Sequence, residues 1–283
     1  ITIPSGRGGA EIAGSSIIRI VNSGKPLEVK TGFFTFTATT PVISGWNAKE
    51  SSVVYIQLSP VSKNPDNILV SSLSKVNSVN RDLAKKIFTL DVKVDGRTVP
   101  RSVQPVKMTI STKGFTPEQL ANLTGVYYNS ALSSYRQLGG KLSADGTTFS
   151  FYTYDSGNYG VIVSSNLSKI NFAIGDKNFT KNGSSVANDV APYISPEGKT
   201  MVPLRAMAES LGAIIAWNDA TKTIAISKGS IVTRLTLGQQ LPNGMGGLEL
   251  QSGRTFVPIR YVAEQFEANV VWDDATNSVD IYQ

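Results

Sequence analysis

The 283-residue chain contains no cysteine and no histidine. Without histidine there is no general base poised near neutral pH, no Ser-His-Asp triad and no imidazole ligand for copper or zinc. Without cysteine there is no thiolate nucleophile, disulfide, iron-sulfur cluster or thioether-linked haem. Carboxylates, lysine, serine and tyrosine are left for catalysis, and oxygen ligands suited to calcium or magnesium are left for metals. No cofactor and no enzymatic activity are expected. Charge is scarce as well: Asp, Glu, Lys and Arg make up 17% of the chain, against an average of about 25%. Serine, threonine, asparagine and glycine fill that gap, a balance common in secreted β-rich proteins.

Long apolar runs are also missing, none nearing the ~18 residues of a membrane span, and Ile1 does not open a basic and apolar signal peptide. A start at Ile1 in place of Met is expected of a chain from which a leader or tag has been removed. The net charge is +6, yet the basic residues are scattered, Lys85 and Lys86 being the only adjacent pair. A nucleic-acid binder gathers its cations on one stripe beside aromatics, so no nucleic-acid partner is expected.

At about 100 to 200 residues per domain the length predicts two domains. Residues 1–25 hold two short apolar runs joined by a glycine-rich stretch and read as an extended segment. It either packs on its own domain or adds as a strand to a neighbouring subunit, because sheet edges recruit strands. The residues placed at that assembly contact are Ile1, Ile3, Ile17, Ile18, Ile20 and Val21.

Residues 26–165 carry strand signals throughout. Phe34, Phe36 and Ala38 alternate with polar neighbours, as do Phe88, Leu90 and Val92, then Val106, Met108 and Ile110, then Phe149 and Phe151. Turn signals at Asp95-Gly96 and Asp145-Gly146 separate these runs, which predicts an antiparallel sandwich. Short helices are predicted over residues 80–86 and 116–123, the second with Thr116 as N-cap and Pro117 at its first position. Ser72 and Lys75 match a serine-lysine spacing, but a chain this rich in serine contains such matches by chance.

The stretch from Gly125 to Ile162 resembles the end of the ZU5-like sandwich domains of bacterial surface-layer and cell-surface proteins. Tyr127 and Tyr128 fall on its aromatic strand, Leu138, Gly139 and Gly140 on its turn, Phe149 and Phe151 on its alternating strand, and Ser156 with Asn158 and Val161 on its closing strand. The resemblance implies a sandwich displayed at a cell surface.

Residues 166–283 contain one unit written twice. TMVPLRAMAESLGAIIAWNDATKTIAIS from Thr200 recurs as TFVPIRYVAEQFEANVVWDDATNSVDIY from Thr255, an offset of 55 without a gap. A repeat of this kind is one supersecondary unit that completes its core against its copy. Each copy reads as a short strand ending at proline, an amphipathic helix and a two-stranded hairpin. Leu204, Met207, Ala208 and Leu211 share one helical face, matched by Ile259, Val262, Ala263 and Phe266. Gly212 ends the first helix, while Glu267 takes its place in the second.

The repeated pattern resembles the copper amine oxidase N-terminal-like domain, a stalk domain of secreted Gram-positive proteins. The oxidase chemistry of that family belongs to a separate catalytic domain that needs histidine ligands, so the resemblance implies a stalk or binding module. The fold class expected for the whole chain is mainly β, an antiparallel β-sandwich followed by a duplicated β-α-β-β stalk.

Arg205 and Glu209, like Arg260 and Glu264, are spaced to pair along a helix, although two equivalent arginines are also suited to a polymer of repeating negative charge. Trp217 and Trp272 are placed either in the core beside their hairpins or as stacking surfaces for sugar rings. The function expected is that of a self-assembling extracellular subunit on a Gram-positive surface, polymerising head to tail through its N-terminal strand segment. The alternative is a monomeric module binding cell-wall glycan.

Overall fold

A computed structural model describes residues 1–4, 7–32, 34–60, 87–129, 134–164 and 166–283. The helix predicted over residues 80–86, and Ser72 with Lys75, lie outside the described residues. The chain divides into two units, Ile1–Asn166 and Leu167–Gln283, and is mainly β with antiparallel sheets.

The first unit contains, in order, β1 (Gly9–Ala13), α1 (Gly14–Ser23), β2 (Leu27–Lys30), β3 (Phe34–Ala38), α2 (Thr40–Ser44), β4 (Val53–Pro60), β5 (Phe88–Val94) and β6 (Arg97–Thr98). It continues with β7 (Arg101–Ser111), α3 (Pro117–Ala121), β8 (Leu123–Asn129), β9 (Ser134–Gly139), β10 (Lys141–Leu142), β11 (Thr148–Asp155) and β12 (Gly157–Val163). One sheet has the order β1-β4-β5-β12-β8-β9 with β6 on β5, and the other β10-β11-β7-β3-β2. The alternating residues read from sequence fill the core these sheets share: Phe34, Phe36, Phe88, Leu90, Met108, Ile110, Phe149 and Phe151 are buried together. Their rings interlock, Phe34 lying 4.1 Å from Phe88 and Tyr159 5.7 Å from Phe88 between centroids. At α3 the predicted cap is present, since Thr116 Oγ1 accepts from the Gln119 amide while Gln119 Oε1 accepts from that of Thr116. The two orphan donors at that helix start are thereby satisfied reciprocally.

Residues 1–25 depart from the extended segment expected of them. Among the described residues of this stretch, Gly9–Ala13 is the only named strand, and Gly14–Ser23 is a helix closed by Gly24 at φ 68°. The reason lies in spacing: Ile17, Ile20 and Val21 fall at i, i+3 and i+4, the period of one helical face and not the period of two that a strand requires.

The second unit contains β13 (Lys169–Ala173), β14 (Phe179–Lys181), β15 (Ser184–Val186), β16 (Tyr193–Ile194), β17 (Thr200–Pro203), α4 (Leu204–Ser210), β18 (Ile214–Asn218), β19 (Thr223–Lys228) and β20 (Ile231–Thr236). These are followed by β21 (Glu249–Gln251), β22 (Arg254–Pro258), α5 (Ile259–Gln265), β23 (Asn269–Asp273) and β24 (Ser278–Tyr282). Strand, helix and hairpin thus occur in both copies as the repeat predicts. The helical faces read from sequence are buried in one shared core with Val202 and Val257.

Three sheets hold this unit together, β15-β14-β13-β24-β23, β16-β17-β22-β21 and β18-β19-β20. In the central one Met201 pairs with Pro258, Val202 with Val257 and Pro203 with Phe256. Val202 therefore faces its own equivalent, the flanking pairs Met201–Pro258 and Pro203–Phe256 are equivalents of one another, and the copies are related by a local twofold between Val202 and Val257. The outer sheets complete the scheme. The first hairpin takes β20 as its third strand and the second takes β13 from the start of the unit, with Ser168 and Gln283 exchanging backbone hydrogen bonds at 2.9 and 3.0 Å.

Candidate functional site

The first three residues lie along β2, the outer strand of the five-stranded sheet. The Ile3 amide donates to the Lys30 carbonyl at 2.7 Å, the Lys30 amide to the Ile1 carbonyl at 2.8 Å, and the Ile1 ammonium to the Glu28 carbonyl at 2.7 Å. The direction is parallel, with Thr2 bridged to Lys30. A few residues later β1 lies antiparallel on β4, pairing Ala10 with Ile56 and Ile12 with Val54. One short stretch of chain thus pairs with backbone groups along one side of each sheet of the sandwich, on β2 and on β4. Left open, such edges template pairing with another chain.

Two buried side chains peg the stretch down. Ile3 and Ile12 are 3% and 5% exposed and belong to the sandwich core. The glycines between and beside them are required by close approach. A Cβ on Gly9 would stand 2.5 Å from the Tyr55 ring and 2.7 Å from the Ile56 carbonyl oxygen. At Gly14, where strand passes into helix, a Cβ would stand 1.8 Å from the Lys49 carbonyl oxygen. The Gly14 amide donates to the Ser52 carbonyl at 2.7 Å.

The six residues assigned to assembly are distributed unevenly. Ile1 is half exposed, Ile3 and Ile17 are buried, and Ile20 with Val21 pack against the core from α1. Ile17, Ile18 and Val21 also line an open groove of about 370 Å³ between α1 and α2, facing Ile43, Asn47 and Ala48.

The four residues considered for polymer binding differ in their surroundings. Trp217 is 48% exposed. Trp272 packs on the core and donates its indole Nε1–H to Asp274 at 2.6 Å. Arg205 is largely exposed, and its Nε lies 4.0 Å from Glu209, a surface pair of little energetic weight. Arg260 is half-buried. The two copies therefore present different surfaces at these positions.

Two polar clusters escaped the sequence reading. Asp155 accepts from Arg101 Nη1 at 2.9 Å and from Arg136 Nη2 at 2.6 Å, tying β7 and β11 of one sheet to β9 of the other. Arg136 also stacks 5.0 Å over the Tyr127 ring. In the second unit the buried carboxylate of Asp280 accepts from the Asn171 amide at 2.8 Å and the Tyr282 hydroxyl at 3.0 Å, with Lys169 Nζ 3.0 Å away. Burial, and then the charge of Asp280 beside it, push the Tyr282 phenol well above its ordinary range. One signal for this cluster was present in the sequence: Asp280 stands at the repeat position that Ala225 fills in the first copy. Both clusters hold strands together through donors already in use. Among the described residues, no group of three or more acidic side chains is placed to hold a metal ion.

The twofold pairing, the proline-ended strands and the paired helix-hairpin units define the second unit as a self-completing duplication. Residues 180–281 match the copper amine oxidase N-terminal domain. That domain is a non-catalytic part of its family, and the amine-oxidase-type match covers both copies of the repeat. The chain is also 38% identical over 88 residues to a curated protein of Brevibacillus choshinensis named "Protease inhibitor", covering 28% of this chain and 27% of the relative. The match thus spans about a quarter of that relative's length. Among the described residues no helix is long and apolar enough to cross a membrane.

Proposed function

We propose that the chain is a non-catalytic, extracellular building block of a bacterial surface filament or layer, and that copies associate by exchanging the N-terminal segment. The observation that carries this reading is the placement of residues 1–3 and 9–13 on the outer strands of both sandwich sheets, pegged by Ile3 and Ile12. A segment held by edge pairing and two pegs can take the same seat on the next copy, whose edge offers identical partners. Exchange in one direction gives a head-to-tail contact that does not close. The likeness of the sandwich to ZU5-like surface domains and the amine-oxidase-type stalk support display outside the cell. Because residues 14–23 are helical, the exchanged portion in this reading is residues 1–13, shorter than the sequence suggested.

The test is electron microscopy and sedimentation of the full chain beside a chain lacking residues 1–13 and an Ile3→Asp, Ile12→Asp double variant. Polymers that vanish in both altered chains, and heterotypic capture of a synthetic 1–13 peptide by the truncated one, support the reading. Polymers that persist without residues 1–13 overturn it. The name of the Brevibacillus relative brings protease inhibition as a second reading, which a panel of secreted proteases assayed with the full chain decides directly.

A further inference from the structure

The strand β18 is the outer strand of its three-stranded sheet, and its sequence IIAWN carries neither charge nor proline. Natural edge strands are guarded against pairing with other chains by charged side chains, prolines or bulges. The other described edge strands of five residues or more obey that rule: β1 has Glu11, β9 has Arg136, β20 has Arg234 and β23 has Asp273. Strand β23 is the repeat equivalent of β18, so the guard is present in one copy and missing from the other.

The exposure of β18 is the second observation. Ile214 is 73% exposed and Trp217 48%, with Ala216 and Asn218 exposed as well, and only Ile215 is partly covered. In the sister strand, Asn269 and Val270 are 3% and 4% exposed. The first copy thus shows water an apolar, β-branched and aromatic strand that its twin keeps covered.

We infer that β18 is a self-association edge, and that its partner is β18 of a second copy of this chain, antiparallel about a twofold at Ala216. The occupant follows from charge and register. Self-pairing sets every charge against its own kind, and like charges directly opposite are destabilising; β18 has none to oppose. Centred on Ala216, the pairing sets Ile215 opposite Trp217 and Ile214 opposite Asn218, which gives two aromatic–aliphatic pairs of the kind that stabilises antiparallel sheets. The same geometry already operates inside the chain, where the two copies of the repeat meet antiparallel with Val202 facing Val257. The contact does not use residues 1–13. A five-residue pairing buries little surface, so alone it gives a weak dimer, and within an assembly held by a second contact it gains from effective concentration.

The absence of cysteine from the chain makes the test direct. Opposite residues of an antiparallel pair have Cα atoms about 4.5–5.5 Å apart, inside the about 4.4–6.8 Å span of a disulfide. Full-length A216C, oxidised with diamide and read on non-reducing gels, is expected to form covalent dimer at least about tenfold faster than S185C on the exposed edge strand β15. I214C alone is expected to cross-link slowly and to form a mixed dimer with N218C. Independently, A216K and A216E are each expected to sediment as smaller species than the parent chain at the same concentration, and their equimolar mixture to recover the parent's distribution. Equal cross-linking rates for A216C and S185C, or an A216K chain that associates as the parent does, overturns the inference. Because the truncation at residue 13 leaves β18 intact, A216C dimers that persist in the truncated chain separate this contact from terminal exchange.

Discussion

Val202 lies directly opposite Val257 where the two copies of the repeat meet, and each is the other's equivalent at an offset of 55. Both are fully buried. An antiparallel pair in which a residue faces its own equivalent carries a twofold axis through its centre, so one favourable packing solution in the repeat is used twice. Helices α4 and α5 then close over the same core from symmetric positions.

Loss of methyl groups at this axis is expected to be costly and coupled. Val202→Ala and Val257→Ala each remove buried volume and should destabilise the second unit by about 2 kcal/mol. Since the pair shares one space, the double variant is expected to fall short of the summed losses by at least about 0.5 kcal/mol. Urea unfolding of the four chains of that cycle measures the coupling, and strict additivity would argue against a shared packing site.

The repeat also identifies a strained position. Gly212 ends α4 at φ 74°, and Glu267, its equivalent after α5, has φ 58°. A left-handed conformation carries a penalty of about 1 kcal/mol or more for a residue with a Cβ, partly offset by the entropy that glycine brings to the unfolded chain. Glu267→Gly is therefore expected to raise stability by up to about 1 kcal/mol, and Gly212→Ala to lower it by about 1 kcal/mol. Thermal unfolding that moves in opposite directions for the two variants checks the assignment.

Much of this architecture was legible in the sequence, and the reasons differ from element to element. Periodicity two placed Phe34, Phe36, Phe88, Leu90, Phe149 and Phe151 correctly because each lies on a strand with one face inward. The offset of 55 announced the duplication, and proline after Val202 and Val257 marked where strand gives way to helix. Residues 14–23 read as part of an extended segment because a glycine-rich stretch joins the two apolar runs, whereas Gly9 and Gly14 are there to admit the Tyr55 ring and the Lys49 carbonyl. Partners distant in sequence, such as Asp155 with Arg101 and Arg136, leave no local pattern at all.

Close approach at Gly14 makes that residue the joint of the N-terminal segment. A methyl group there meets backbone oxygen at 1.8 Å, and backbone cannot swing aside as a side chain can. Gly14→Ala is expected to cost about 3 kcal/mol and to release the protection of the β1 amides in hydrogen exchange. Gly24→Ala, with open space around its Cβ at φ 68°, serves as the control, at about 1 kcal/mol and with β1 still protected.

Acid sensitivity is expected at the turn between β10 and β11. Asp145 accepts from the Ser143 hydroxyl, the Thr147 amide and the Thr147 hydroxyl, which together lower its carboxyl to about 2 from an ordinary value of 3.8. A depressed folded-state value means that the ionised form contributes stability above pH 3.8, and that this contribution is lost as pH falls through about 2. Carbon-detected NMR titration should give a midpoint near 2 for Asp145. In Asp145→Asn the stability difference from the parent should shrink as the pH falls from 4 to 2.

Asp280 offers the sharpest test of whether the polar cluster of the second unit is structural. Its side chain is 3% exposed, whereas that of Lys169 beside it is 43% exposed, so on loss of the carboxylate the lysine returns to water at little cost. Asn171 and Tyr282 cannot do so equally well: Tyr282 is 4% exposed, and its hydroxyl would be left without the oxygen to which it donates. An unsatisfied buried donor costs about 1–3 kcal/mol, which makes about 2–3 kcal/mol the expected loss for Asp280→Ala. In Asp280→Asn an amide oxygen remains to accept, and the loss should be less than half as large. The first copy of the repeat places Ala225, half-buried on β19, at this position without such partners, so Ala225→Ser is expected to change stability by no more than about 0.5 kcal/mol. Equal losses at positions 225 and 280 would mean that the sheet, and not the carboxylate and its donors, sets the cost.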